Sequence, residues 1–111
     1  MKDALTGALA ETPGDGTAVI LVDDVADLPL IGAAAVDHAL VLVVLAPTVP
    51  ILDRSMLLAA VGVLAVDCAP HVRIVALDVR TGAEVDDVVA AALFLASAES
   101  TTGQIVQVTP R

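Results

Sequence analysis

The sequence predicts a parallel α/β fold, a sheet of about four strands with flanking helices, in one domain covering residues 1–111. Three observations predict it. Four β-branched apolar runs recur: TAVILV (17–22), ALVLVVLA (39–46), VRIVAL (72–77) and QIVQV (104–108). Their near-continuous apolarity marks strands covered on both faces, as parallel strands are. Between them lie longer stretches with apolar residues three and four apart, so helix and strand alternate. That alternation calls for crossover connections, which are right-handed as a rule.

Taken in order, DALTGALAE (3–11) reads as a short leading helix before the PGDG turn (13–16). After the first strand, ADLPLIGAAAVDHA (26–39) reads as a helix with Pro29 in its first turn and Gly32 weakening its middle. DRSMLLAAVGVLAVDCA (53–69) follows the second strand, with Asp53 as N-cap and Pro70 as the stop. In AEVDDVVAAALFLA (83–96) the apolar spacing runs through Val85, Val88, Val89, Ala92, Leu93 and Leu95 or Ala96. Glu84, Asp86 and Asp87 crowd its first turn, where acids suit the positive helix end.

Composition narrows the function. With 58% apolar and 17% charged residues the chain folds rather than staying disordered. The formal charge is −9, and the five basic residues (Lys2, Arg54, Arg73, Arg80, Arg111) are scattered, which argues against nucleic acid and anionic membranes as partners. No apolar run reaches the length of a spanning helix, and MKDALTGALAE lacks the apolar stretch of a signal peptide. A cytoplasmic location is the expectation. Phe94 is the single aromatic residue, so no aromatic stacking platform or cage is available. Cys68, the single cysteine, reads as a buried structural thiol.

Near the C-terminus, Phe94, Leu95, Ala96 and Ser97 are followed by a short loop, then Thr102, Gly103 and Gln104, then an apolar strand. FLAS, loop, TGQ and strand in this order resemble the end of short-chain dehydrogenase/reductases, with the loop two residues short. LAVDCAPHVRIVAL (64–77) is similar to the segment where that family's active-site helix ends in Ala-Pro and an I-R-V-N strand follows. Arg73 matches; Val75 stands in place of the asparagine. The resemblance covers nearly the whole chain but only the second half of the family fold, and implies a truncated Rossmann-like sheet.

It also implies lost chemistry. Counted back from Ala69-Pro70, the family's catalytic lysine falls on Arg54 and its catalytic tyrosine on Pro50, which has no proton to donate. Where the family has a substrate-polarising serine, the sequence reads LAPTVP, with only Thr48 near. Asp23-Asp24-Val25-Ala26 replaces the Asn-Asn-Ala-Gly of the fourth strand end, and two carboxylates there repel a dinucleotide. No glycine-rich loop follows a strand and opens a helix, so no phosphate cradle is expected. No catalytic, cofactor-binding or metal-binding residue is expected.

Two other resemblances compete. ILVDD (20–24) is similar to a receiver domain's paired acids at a strand end, though the accepting aspartate and the later lysine are missing; Asp23, Asp24 and Asp27 read better as a solvated cluster than as a cation site. LVLVVLAPTVPILDRSMLLAAV resembles the middle of STAS domains, through Asp53, Ser55 and Leu57. That likeness implies an anti-sigma-antagonist type of switch set by phosphorylation of Ser55 at a helix N-terminus. His38 and His71 have no neighbours at ligand spacing and read as boundary or surface histidines.

The leading reading is a non-catalytic relative of short-chain dehydrogenases that binds a full-length family member in a hetero-oligomeric oxidoreductase complex, with self-association as a further partner state. In the resembled family the long helix and the last helix with its strand form the oligomer interfaces. The corresponding residues are Met56, Leu57, Ala60, Val61 and Leu64, then Phe94, Ile105, Val106 and Val108. SMLLAAVGVLAV is apolar nearly all round, more than one sheet face requires.

Overall fold

The computed structural model describes residues 16–98 and 102–110. The leading helix expected over 3–11 and most of its PGDG turn lie outside the described residues. Strands β1 (Thr17–Val22), β2 (Leu40–Leu45), β3 (Arg73–Val79) and β4 (Ile105–Val108) form one sheet in the order β1-β2-β3-β4, every pair parallel. Helices α1 (Leu28–Asp37), α2 (Ile51–Cys68) and α3 (Val85–Ser97) link them, with a 3₁₀ turn at Val25–Asp27 before α1. The four-stranded parallel α/β arrangement and its Rossmann-like character are as the sequence predicts.

Both sheet faces are apolar, and both are covered. All six residues of β2 are buried. Val41, Val43, Leu45, Ile74 and Ala76 pack beneath Ile31 of α1 and Leu57, Val61 and Ala65 of α2. Leu42, Val44, Val75 and Leu77 pack on the opposite face against Val88, Ala92 and Leu95 of α3. Full burial of such side chains contributes roughly 1.5–3 kcal/mol each, so leaving one face bare is the costlier arrangement.

That requirement corrects the expectation of uniformly right-handed crossovers. The strands step across the sheet in one direction, yet α3 lies on the face opposite to α1 and α2. The β3–α3–β4 connection therefore has the opposite hand to the two before it. Arg73 fastens this last helix: its guanidinium donates to the carbonyls of Leu95 (2.7 Å), Ala98 (2.7 Å) and Ala96 (3.4 Å). These carbonyls lie at the C-terminal end of the helix, and a cation suits that end of the dipole. Arg73→Met is expected to cost about 1–2 kcal/mol, read as a lower urea midpoint at unchanged slope.

The long helix starts earlier than expected. Pro50, not Asp53, occupies the N-cap position, and its carbonyl accepts the Arg54 N–H at 2.8 Å. Asp53 falls instead in the first turn, where its charge still suits the dipole. The helix ends at Cys68 because Ala69, preceding Pro70, is pushed into extended backbone.

Candidate functional site

In open parallel sheets ligands bind beyond the carboxyl ends of the strands, so that edge is the candidate site. Here it is built from residues 23–27 after β1, the turn 46–50 after β2 and the segment 78–82, which ends β3 and continues beyond it. One row of the parallel register, Leu45, Asp78 and Gln107, crosses the sheet just inside it.

Asp78 is the unusual member of that row. It lies on the α2 side of β3, the face that carries Ile74 and Ala76, and is only 4% exposed. A carboxylate so placed needs a charged partner. The partner is Arg54, 3% exposed, which recurs with Leu57, Val61 and Ala65 on the inward face of α2. Arg54 Nη1 donates to Asp78 Oδ1 in a short ion pair and to the Val79 carbonyl at 3.3 Å. Nη2 donates to the carbonyls of Ala46 at 2.7 Å and Val49 at 3.3 Å. Thus one side chain pins the ends of β2 and β3 and the turn between β2 and α2.

Arg80 reaches the other carboxylate oxygen, Nη2 to Oδ2 at 3.0 Å. Gln107, its side-chain oxygen turned toward Arg80, accepts from that guanidinium at 3.0 and 3.1 Å. The result is a chain Arg54–Asp78–Arg80–Gln107 across α2, β3 and β4. Among the described residues no buried side-chain polar atom lacks a partner. A guanidinium does not give up a proton at working pH, and this one is held by four acceptors. The network is suited to binding elements together.

The remaining candidates fall around this network. Pro50 is exposed at the start of α2, one turn before Arg54. Thr48 is an exposed turn residue. Asp24 accepts from the Ala26 amide (2.9 Å) and Asp27 from the Asp23 amide (3.2 Å), so these carboxylates order the turn after β1. Among the described residues no group of three or more His, Cys, Asp or Glu is placed to hold a metal ion. His38 Nδ1 lies 2.8 Å from the Ala34 carbonyl at the end of α1, and His71 is exposed. Ser55 is exposed and donates to the Ile51 carbonyl at 3.1 Å, an ordinary helical back-bond. Cys68 is half-buried rather than buried, because it is the last residue of α2.

The Thr-Gly-Gln segment has a structural job. Thr102 Oγ1 accepts the Ile74 amide (3.1 Å), the Gly103 amide donates to the Ile74 carbonyl (2.7 Å), and the Gln104 carbonyl accepts the Ala76 amide (2.9 Å). Gly103 has φ +75°, a left-handed backbone that favours glycine. The three residues lock β4 into register on β3.

Of the residues expected at a partner interface, Leu57, Val61 and Val108 are buried in the chain's own core, because they sit on the inward face of α2 and the covered face of β4. They offer no free surface. Ala60, Leu64 and Val106 are half-buried, while Met56, Phe94 and Ile105 are exposed. Sequence reasoning missed the Arg54–Asp78 pair. Its signal was present in two places: an arginine in register with the apolar stripe of α2, and one acid near the end of the strand RIVALDV, after four apolar residues.

A four-stranded parallel sheet with crossover helices, carrying a buried ion pair at its carboxyl edge, defines a Rossmann-like α/β protein. Residues 6–108 match the SDR-like family, described as short chain dehydrogenase-like protein, and the chain belongs to that family. No curated protein and no solved structure gives a match. Among the described residues no helix is long and apolar enough to cross a membrane.

Proposed function

We propose that this chain is a non-catalytic member of its family, a cytoplasmic pseudoenzyme that binds and stabilises or regulates a full-length short-chain dehydrogenase/reductase in a hetero-oligomeric complex. One observation carries the reading: Arg54, at the position the resemblance assigns to the family's lysine, is buried and engaged by Asp78 and three carbonyls, with Pro50 at the tyrosine position. A titratable hydroxyl beside a lysine is the working unit of the resembled chemistry, and neither group stands there. Exposed apolar side chains on α2, α3 and β4 supply the motive for binding.

Two measurements test it. Titrating the purified chain with NAD(H) and NADP(H) in a calorimeter is expected to give no heat; saturable binding at micromolar affinity defeats the non-catalytic reading. Co-expression with full-length relatives from the same genome is expected to yield a stable complex. Purification of the chain alone, as a well-behaved monomer, from each such co-expression defeats the subunit reading.

A further inference from the structure

Asp78 is shared by two arginines, so the cluster Arg54–Asp78–Arg80 carries one unbalanced positive charge in a chain whose formal charge is −9. Arg54 is buried and held by four acceptors. The surplus therefore surfaces at Arg80, whose side chain is 37% exposed. Its guanidinium is fixed twice: Nη2 donates to Asp78, and Nε and Nη2 donate to the turned side-chain oxygen of Gln107. That leaves Arg80 Nη1 and the Gln107 amide nitrogen as donors from which no described residue accepts. A charged donor and an amide donor already held in place form a preorganised receptor for an oxyanion, because little side-chain freedom remains to be lost on binding.

The surroundings narrow the ligand. Ile105 and Gln107 are two residues apart on β4 and point to one face, in register with Ala76 and Asp78 on the α2 side of β3. Ile105 is 41% exposed and Gln107 is exposed, so an apolar side chain lies open beside the two donors. The same edge of the sheet carries acids after β1 and in the first turns of α2 and α3. Coulomb energy scales with charge, so their field opposes a dianion twice as strongly as a monoanion. A single negative charge matches the single surplus positive one, and a dinucleotide's phosphates do not.

We infer that Arg80, Gln107 and Ile105 form a binding site for an aliphatic monocarboxylate. Its carboxylate is held by Arg80 Nη1 with the Gln107 amide as second donor, and its apolar tail lies along Ile105. The site binds without reacting, and it stands independently of the protein partner proposed above. Asp78 acts through Arg80 as a positioning residue, holding the guanidinium from the side away from Gln107.

Gln104 and Gln107 are the only side-chain amides in the chain, so heteronuclear NMR of the isotope-labelled full chain reads the site directly. Sodium hexanoate, sodium acetate and inorganic phosphate are titrated separately at mildly alkaline pH, where phosphate is a dianion. Hexanoate is expected to shift the Gln107 amide and the Arg80 Nε signals saturably in the millimolar range, at least tenfold tighter than acetate or phosphate. Arg80→Met leaves the Arg54–Asp78 pair in place and is expected to weaken hexanoate at least tenfold with the dispersion of the spectrum kept. Gln107→Met, at an exposed position, is the second variant, read through Arg80 Nε, and is expected to weaken it several-fold. Ile105→Thr is expected to bring hexanoate down to the affinity of acetate. Shifts that do not saturate, equal affinity for the three anions, saturable shifts confined to residues elsewhere, or binding that survives the Arg80 and Gln107 substitutions overturns the site.

Discussion

Asp78→Ala is expected to be the most destabilising single substitution at the carboxyl edge of the sheet, costing about 3–5 kcal/mol. The charge it strands is Arg54, whose only ion-pair partner among the described residues is Asp78 and whose side chain is almost wholly out of water. Removing one member of a buried pair leaves the other to bear its desolvation alone, and Arg80, then also without its carboxylate, adds repulsion. Against a typical domain stability of about 5–15 kcal/mol, the variant is expected to be partly unfolded at 37 °C. Arg54→Met is expected to cost less, because Asp78 keeps Arg80 at 3.0 Å. The double variant Arg54→Met, Asp78→Leu is expected to recover most of the loss, since apolar replacement of a whole buried pair is often neutral or better. Chemical denaturation of the three variants checks the order. If Asp78→Ala costs less than about 1 kcal/mol, the pair is not what joins β2, β3 and α2.

Arg54→Lys belongs to the same argument. It restores the residue type the resembled enzymes carry, but an ammonium on a flexible stem does not reproduce a planar fork reaching a carboxylate and three carbonyls. Arg54 is matched to a static role, holding β2, β3 and α2 together.

The fold was legible because each strand is an uninterrupted β-branched run and each connection long enough for a helix. β2 and β3, buried on both faces, were the easiest to read. Errors came where local signals compete. Asp53 is a better capping residue than proline, yet Pro50 starts α2 because its fixed φ of −60° already suits the entry to a helix. The hand of the last crossover was not legible, because it depends on which face of a sheet apolar on both sides is still bare. Which apolar residues of α2 reach the surface was half legible. SMLLAAVGVLAV reveals surplus apolarity, but the split into Leu57 and Val61 inside and Met56 and Val63 outside depends on the helix's rotation against the sheet. Asp78 escaped notice because the strand continues two residues beyond the last apolar residue of VRIVAL.

The two faces of α2 give the second large effect, and an unequal one. Leu57→Ala, inward and fully buried between the sheet and its own helix, is expected to cost about 2–5 kcal/mol through lost contact and a residual cavity. Val63→Ala and Val66→Ala, further along the same helix but outward, are expected to change the stability of the isolated chain by no more than about 0.5 kcal/mol. Replacing both outward valines by glutamate goes further. Glutamate has the better helix propensity, so the double variant is expected to match or slightly exceed the parent in thermal midpoint. Valine at those two positions therefore does nothing for the monomer that a charged residue does not do as well. Under the proposed function these valines serve contact with another protein, and the glutamate variant is then expected to stay folded while losing any partner that docks on α2. Unfolding of that variant, measured by circular dichroism under conditions where the parent is native, would show that the outward face is part of the chain's own core.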